Sequence, residues 1–185
     1  MCIRDRVKYT ALVIAALLAF GTLPSSANAQ GSFLHDTTAL KWEARGNNKV
    51  VKVVEAATPS GQAISAKIKK RKKNPWDVAL WVDMDGSVKK GDQIEMRFWA
   101  RTAKAPKSKD QAEFIIYVGR TEEPYDNIIN EKFSPGAEWQ SYTLTGIAEA
   151  NFNSGKLKAE YQLGKQAQTV EFGGLYVSNL GPQPE

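Results

Sequence analysis

The stretch GDQIEMRFWAR, residues 91–101, decides the fold. Ile94, Met96, Phe98 and Ala100 alternate with Glu95, Arg97, Trp99 and Arg101. Strict period two describes a strand with one apolar face and one face of polar and aromatic groups. A Lys89-Lys90-Gly91-Asp92 turn precedes it and a polar loop, TAKAPKSKDQ over 102–111, follows.

The same alternation recurs on both sides. From Trp76 to Met84, Val78, Leu80 and Val82 oppose Ala79, Trp81 and Asp83. From Ala112 to Val118, Ala112, Phe114 and Ile116 oppose Glu113, Ile115 and Tyr117. Val50–Val54 is a short β-branched run, and Trp139–Leu144, Lys156–Leu163 and Thr169–Val177 read as further strands. Asn130–Phe133 is part of a short strand, followed by a Ser134-Pro135-Gly136 turn. Gly173-Gly174 inside the last strand reads as a bulge or a close backbone approach. Helical periodicity is sustained nowhere, and no internal repeat is visible. Short alternating strands separated by turn clusters predict an all-β sandwich, with one domain over residues 31–181 and a short tail at 182–185.

The N-terminus has a different character. Lys8 precedes ALVIAALLAF (11–20), an apolar run of signal-peptide length and too short to span a bilayer. Ala27-Asn28-Ala29 follows as an A-x-A cleavage signature, so residues 1–29 are expected to be a signal peptide. The protein is then secreted or periplasmic, with no membrane span. The opening MCIRDR resembles translated sequencing-adapter read-through, which makes residues 1–6 an artefact rather than biology. Cys2, the only cysteine, lies in that segment, so the mature chain has no disulfide, thiol chemistry or Cys-ligated metal. Of the net charge of +5, residues 1–29 carry +2 (Arg4, Arg6 and Lys8 against Asp5), leaving +3. That balance argues against a nucleic-acid partner.

Chemistry is sparse. His35, the only histidine, is expected to be solvated near the mature N-terminus, which leaves no Ser-His or Cys-His pair and no histidine metal cluster. The outward strand positions suit sugars instead. Trp81, Trp99 and Tyr117 offer flat ring faces to pyranose C–H groups. Arg97, Arg101, Glu160 and Gln162 offer forked hydrogen bonds to neighbouring hydroxyls. The basic run KKRKK (69–73), with Lys67 ahead of it, reads first as a solvated strand end. As a binding feature of an exported protein it would face acidic glycans or an anionic envelope.

NPWDVAL (74–80), VKKGDQIEMRFWAR (88–101), GAEWQSYTL (136–144) and QTVEFGGLYVSNLG (168–181) occur in an order that resembles the carbohydrate-binding modules of the galactose-binding-like jelly-roll superfamily. The likeness is to xylanase-associated modules, including the N-terminal module of family 10 glycoside hydrolase-like proteins. The resemblance implies a jelly-roll β-sandwich with a sugar groove on its concave sheet, binding plant or algal polysaccharide, xylan-type β-glycan first, without catalysis. It implies that Trp76 stacks on the sugar, that Lys70 or Arg71 stands where the family carries an Arg-Thr pair, and that Tyr117 and Glu160 contact the ligand. It also implies a structural calcium in many members. Here the usual late aspartate is replaced by Gly173-Gly174, which removes the oxygen ligand calcium needs; no other cofactor is expected. Such modules usually precede a catalytic domain, so a glycoside hydrolase domain or partner is expected unless the chain is a stand-alone exported binder.

Two other readings draw on the same residues. A jelly-roll polysaccharide lyase would use Tyr117 as acid/base with Arg97, Arg101 and Gln162 neutralising a uronate, and a hydrolase would need a dyad such as Glu160 with Glu171. An envelope or adhesion module would use the same surfaces without chemistry.

Overall fold

The structure, a computed structural model, describes residues 31–183. The predicted signal peptide lies outside the described residues. Eleven strands follow in order: β1 Ser32–Phe33, β2 Glu43–Arg45, β3 Lys49–Glu55, β4 Gln62–Ile68, β5 Ala79–Met84, β6 Asp92–Lys104, β7 Phe114–Arg120, β8 Asn127–Phe133, β9 Gln140–Ile147, β10 Leu157–Gln162 and β11 Thr169–Pro182. One 3-10 turn, Pro75–Asp77, precedes β5.

These strands make two antiparallel sheets. The five-stranded sheet runs β2-β5-β10-β7-β8, and the other runs β3-β4-β11-β6-β9 with β1 added against β11. Every sheet neighbour pairs antiparallel. The inward face of β6 is Ile94, Met96, Phe98 and Ala100, all fully buried, as its alternation requires. Leu80, Val82 and Met84 of β5 and Leu157, Ala159 and Tyr161 of β10 face them from the other sheet. Tyr161 stacks on Phe172 of β11 with ring centroids 4.0 Å apart, joining the two sheets through the centre of the core. Phe98, Phe114, Phe133 and Tyr142 close around that pair edge to face.

Two strands were not among the expectations, and two expectations need correction. β4 does alternate, with Ile64, Ala66 and Ile68 inward against Ser65 and Lys67 outward. β2 is too short to show a period. Trp76 stands in the 3-10 turn, not in β5, because Pro75 fixes a turn there and Asn74 and Asp77 close it. His35 is buried, at 8% exposure, because the N-terminal segment folds back over β11. Its Nε2 accepts from the Val177 amide at 3.2 Å, and its Nδ1 lies 3.1 Å from the Asp36 carbonyl. Burial pushes the His35 pKa down. At Gly173-Gly174 the register of β11 against β6 shifts between Phe172 and Leu175. A Cβ on Gly173 would come within 2.8 Å of Thr58 and 2.9 Å of Trp99. That space is filled by Thr58 and Trp99.

Candidate functional site

Strand registers turn the outer face of the five-stranded sheet into three rows. The middle row crosses all five strands: Glu43, Trp81, Glu160, Tyr117 and Asn130 are successive partners. Two residues along lies Arg45, Ala79, Gln162, Ile115, Lys132, and on the other side Asp83, Lys158, Gly119, Asn127. Residues two apart share a face, so all three rows look outward together. Arg45, Gln162 and Ile115 from one row, Glu160, Tyr117 and Asn130 from the middle row, and Lys158 and Asn127 from the third floor a groove of about 610 Å³. Gln162 and Lys158 mark its two ends along β10, about 13 Å apart.

The floor is held by a buried ion network. Glu160 is fully buried. Arg45 Nη2 donates to its Oε1 at 2.7 Å, and Lys158 Nζ bonds to its Oε2. Arg45 also donates from Nε to the Trp76 carbonyl at 2.8 Å, so one guanidinium ties the floor to the turn that carries Trp76. Lys158 Nζ lies 5.7 Å from the Trp81 ring and 5.8 Å from the Tyr117 ring, and Arg45 lies 5.7 Å from Trp81. These cations occupy ring faces that would otherwise be open to a sugar. Trp81 and Tyr117 therefore brace these cations rather than offer open ring faces.

Tyr117 is further committed. Its hydroxyl donates towards the carbonyls of Arg120, Tyr125 and Asp126 at 2.9–3.3 Å. Its ring lies over Gly119, where a Cβ would approach it to 2.6 Å. Burial, then the neighbouring Glu160 carboxylate, push its pKa up to about 12.

The exposed rings stand at the rim. Trp76 is 51% exposed and Tyr125 is 55% exposed, at opposite ends of the groove. The Trp76 turn is braced from below. The Asn74 amide donates to the Asp77 carboxylate at 2.8 Å, which holds the Asp77 pKa below its usual value. Gly164 and Gly46 let the chain pass directly beneath it. A Cβ on Gly164 would meet the Asn74 carbonyl at 2.4 Å, and one on Gly46, at φ +91°, would meet the Asp77 carbonyl at 2.2 Å. Tyr125 sits at φ +58°, a left-handed conformation that side-chain-bearing residues seldom adopt. Local strain of this kind persists where surrounding bonds hold it, and the Tyr117 hydroxyl bonds the Tyr125 carbonyl.

The residues expected to bind ligand do not all meet. Trp76, Tyr117, Glu160 and Gln162 line this groove, and Trp81 lies next to Glu160 on the same sheet face without lining it. Arg97 and Arg101 lie on the outer face of the other sheet, where Arg97 pairs with Glu95 at 3.0 Å and Arg101 with Glu171 at 2.8 Å. Arg71 is exposed in the loop between β4 and the 3-10 turn and is not among the groove-lining residues. Glu160 and Glu171 face outward from opposite sheets and cannot form a hydrolytic dyad. Tyr117 and Gln162 are likewise separated from Arg97 and Arg101, so the lyase set does not assemble. Sequence reasoning missed Arg45, Lys158, Tyr125 and Asn130. Lys158 and Asn130 sit at outward positions of β10 and β8 and were within reach of the alternation argument; Arg45 and Tyr125 lie in segments without a period.

Among the described residues, no helix is long and apolar enough to cross a membrane, and no group of three or more His, Cys, Asp or Glu side chains could hold a metal.

Comparisons with solved structures return the same architecture at low identity. The N-terminal cellulose-binding domain of Cellulomonas fimi β-1,4-glucanase C superposes with a TM-score of 0.56 at 16% identity, covering 87% of this chain and 99% of that one. The xylan-binding domain from Paenibacillus barcinonensis Xyn10C gives 0.54 at 12% identity over 84% and 96%. A Clostridium thermocellum xylanase fragment complexed with xylohexaose gives 0.55 at 12% identity, over 83% of this chain and 29% of that one. No curated protein matches the sequence. The family profile described as "Carbohydrate binding domain" matches residues 28–172, most of the chain. On that match, and on the jelly-roll sandwich that carries the groove, the chain belongs to the carbohydrate-binding domain family.

Proposed function

We propose that the groove of the five-stranded sheet binds one chain of a β-linked polysaccharide, of the xylan or cellulose type, without catalysing any change in it. The observation that carries this reading is the rim: two half-exposed rings, Trp76 and Tyr125, flank a floor of pre-bonded polar groups. Ring faces at the rim take the C–H faces of successive sugars. Gln162, Asn130, Asn127 and Thr121 below them offer donors and acceptors to hydroxyls. Glu160 acts through Arg45 and Lys158, both of whose cationic groups it holds in place.

Lack of catalysis is supported by the groove's chemistry. Glycoside hydrolysis needs two carboxyl groups across a bond. Glu160 is the one carboxylate lining the groove, and both its oxygens are occupied. Tyr117, with its pKa near 12 and its hydroxyl on three carbonyls, is a poor proton acceptor near neutral pH. Xylan is the first ligand to test, since similar folds include a xylan-binding domain and a complex with xylohexaose. An exported module of this kind would hold an attached or partner glycoside hydrolase on its substrate.

The test is titration calorimetry of wild type and Trp76→Ala against soluble neutral xylan and a soluble cellulose derivative. Wild type binds at least one of them. Trp76→Ala loses at least 2 kcal/mol of affinity, about thirtyfold, as an aromatic hot spot does, with unchanged circular dichroism. A folded Trp76→Ala protein that binds like wild type rules this groove out.

A further inference from the structure

The basic run that stands out in the sequence does not stay together in space. Lys72 and Lys73 serve the Trp76 turn: the Lys72 amide donates to the Gly164 carbonyl, and Lys165 Nζ donates to the Lys73 carbonyl. Lys67 and Lys69 go to the opposite side of the molecule. With Lys52, Ser65 and Glu171 they line a depression of about 550 Å³ on the outer face of the six-stranded sheet. Register puts Lys52 beside Ser65, Glu171 and Arg101 in one row, and Val50 beside Lys67, Thr169 and Lys104 in the next.

Charge here is unbalanced. Glu171 is the only acid lining the depression, and Arg101 Nε already donates to it at 2.8 Å. Among the described residues, Lys52, Lys67 and Lys69 have no carboxylate within ion-pair distance. Like charges on neighbouring positions of one sheet face repel, and a polyanion lying across them relieves that repulsion. The polar lining narrows the class of polyanion. Ser65 and Thr169 hydroxyls sit among the lysines. Hydroxyls complement those of a sugar ring, while the lysines complement carboxylates. No exposed apolar wedge for a lipid surface accompanies them beyond Val50.

We propose that this face is a second glycan site, separate from the groove, for uronate-bearing polysaccharide. The two sites lie on opposite outer faces, so one molecule can hold two chains at once.

The experiment compares three proteins: wild type, the Lys52→Glu/Lys67→Glu/Lys69→Glu triple variant, and Trp76→Ala. Polygalacturonate, neutral xylan and phosphatidylserine vesicles are the probes. The triple variant binds polygalacturonate at least about tenfold more weakly and neutral xylan unchanged; Trp76→Ala keeps polygalacturonate binding. Raising salt from about 0.1 M to about 1 M, which shortens the screening length from about 10 to about 3 Å, abolishes the polygalacturonate interaction in wild type. A Lys52→Gln/Lys67→Gln/Lys69→Gln protein gives a smaller loss in the same direction, should charge reversal disturb the fold. Four outcomes overturn the proposal: no polygalacturonate binding by wild type at low salt, equal binding by the triple variant, loss on Trp76→Ala, or stronger binding to the vesicles than to polygalacturonate. A failure of the groove to bind xylan would leave the polygalacturonate comparison readable.

Discussion

The two outer faces of the sandwich arise from the same alternation, yet they treat charge in opposite ways. On the five-stranded sheet Arg45 and Lys158 are both bonded to the buried Glu160. On the six-stranded sheet Lys52, Lys67 and Lys69 surround an acid already claimed by Arg101. A face whose cations are satisfied internally selects by ring contact and hydroxyl geometry, and its affinity changes little with salt. A face whose cations are unsatisfied draws its affinity from the ligand's charge and loses it as salt rises.

The largest expected effect lies under the groove. Glu160→Ala leaves the nearly buried Lys158 without its carboxylate and frees the half-exposed Arg45, and costs about 3 kcal/mol of stability, as breaking a buried pair does. Urea unfolding measures this, and a loss under about 1 kcal/mol would mean that water reaches the site freely. Lys52→Glu on the other face is expected to change stability by less than about 0.5 kcal/mol, so the same titration separates a structural charge from a waiting one.

Next comes Gly164→Ala. The new Cβ must displace the Asn74 and Pro75 carbonyls and with them the Trp76 turn, at a cost of about 1–3 kcal/mol. Xylan affinity falls and polygalacturonate affinity does not; equal loss of both would show that the faces are coupled.

Acid should separate the faces in another way. His35 is neutral in the fold, with Nε2 accepting from Val177 beside β1, and its pKa is depressed. The unfolded chain therefore binds more protons below the ordinary value of 6.5, so stability from His35 is full above that value and is lost as pH falls below it. The Asp77 pKa is also depressed, so the Trp76 turn keeps its support until pH drops through and below the usual carboxylate value of 3.8. Hydrogen exchange between those limits is expected to speed up at the Leu34 and Val177 amides before the Asn74 amide. Simultaneous loss would contradict the assignment.

The smallest effect is Tyr125→Gly. It removes a rim ring and relieves a positive φ in one step. Xylan affinity falls about fivefold, near 1 kcal/mol, while thermal stability stays within a degree or two. Unchanged affinity would leave Trp76 as the only working ring.

Much of this was legible beforehand, because alternation reports faces. The inward and outward residues of β5, β6 and β7 could be read directly, and so could Trp81, Tyr117, Glu160 and Gln162 as one class of outward residue. What alternation cannot report is which sheet a strand joins. Arg97 and Arg101 looked equivalent to Gln162 until β6 took its place beside β11 and β10 its place beside β5 and β7. Ion pairing was hidden for the same reason: Arg45 and Glu160 are separated by most of the domain in sequence. The KKRKK run was visible as charge, but its division between a turn and a sheet face depends on where β4 ends and which sheet it joins.

The position of β11 has a consequence for how the protein is made. It is the last strand among the described residues and lies in the middle of its sheet, between β4 and β6, with β1 against it as well. Until residues 169–182 have been synthesised, β3–β4 and β6–β9 remain separate pieces with an open edge each, unable to close over Tyr161. The domain is thus held short of its native state until those residues are present, and its folding is governed by a long-range closure that comes slowly.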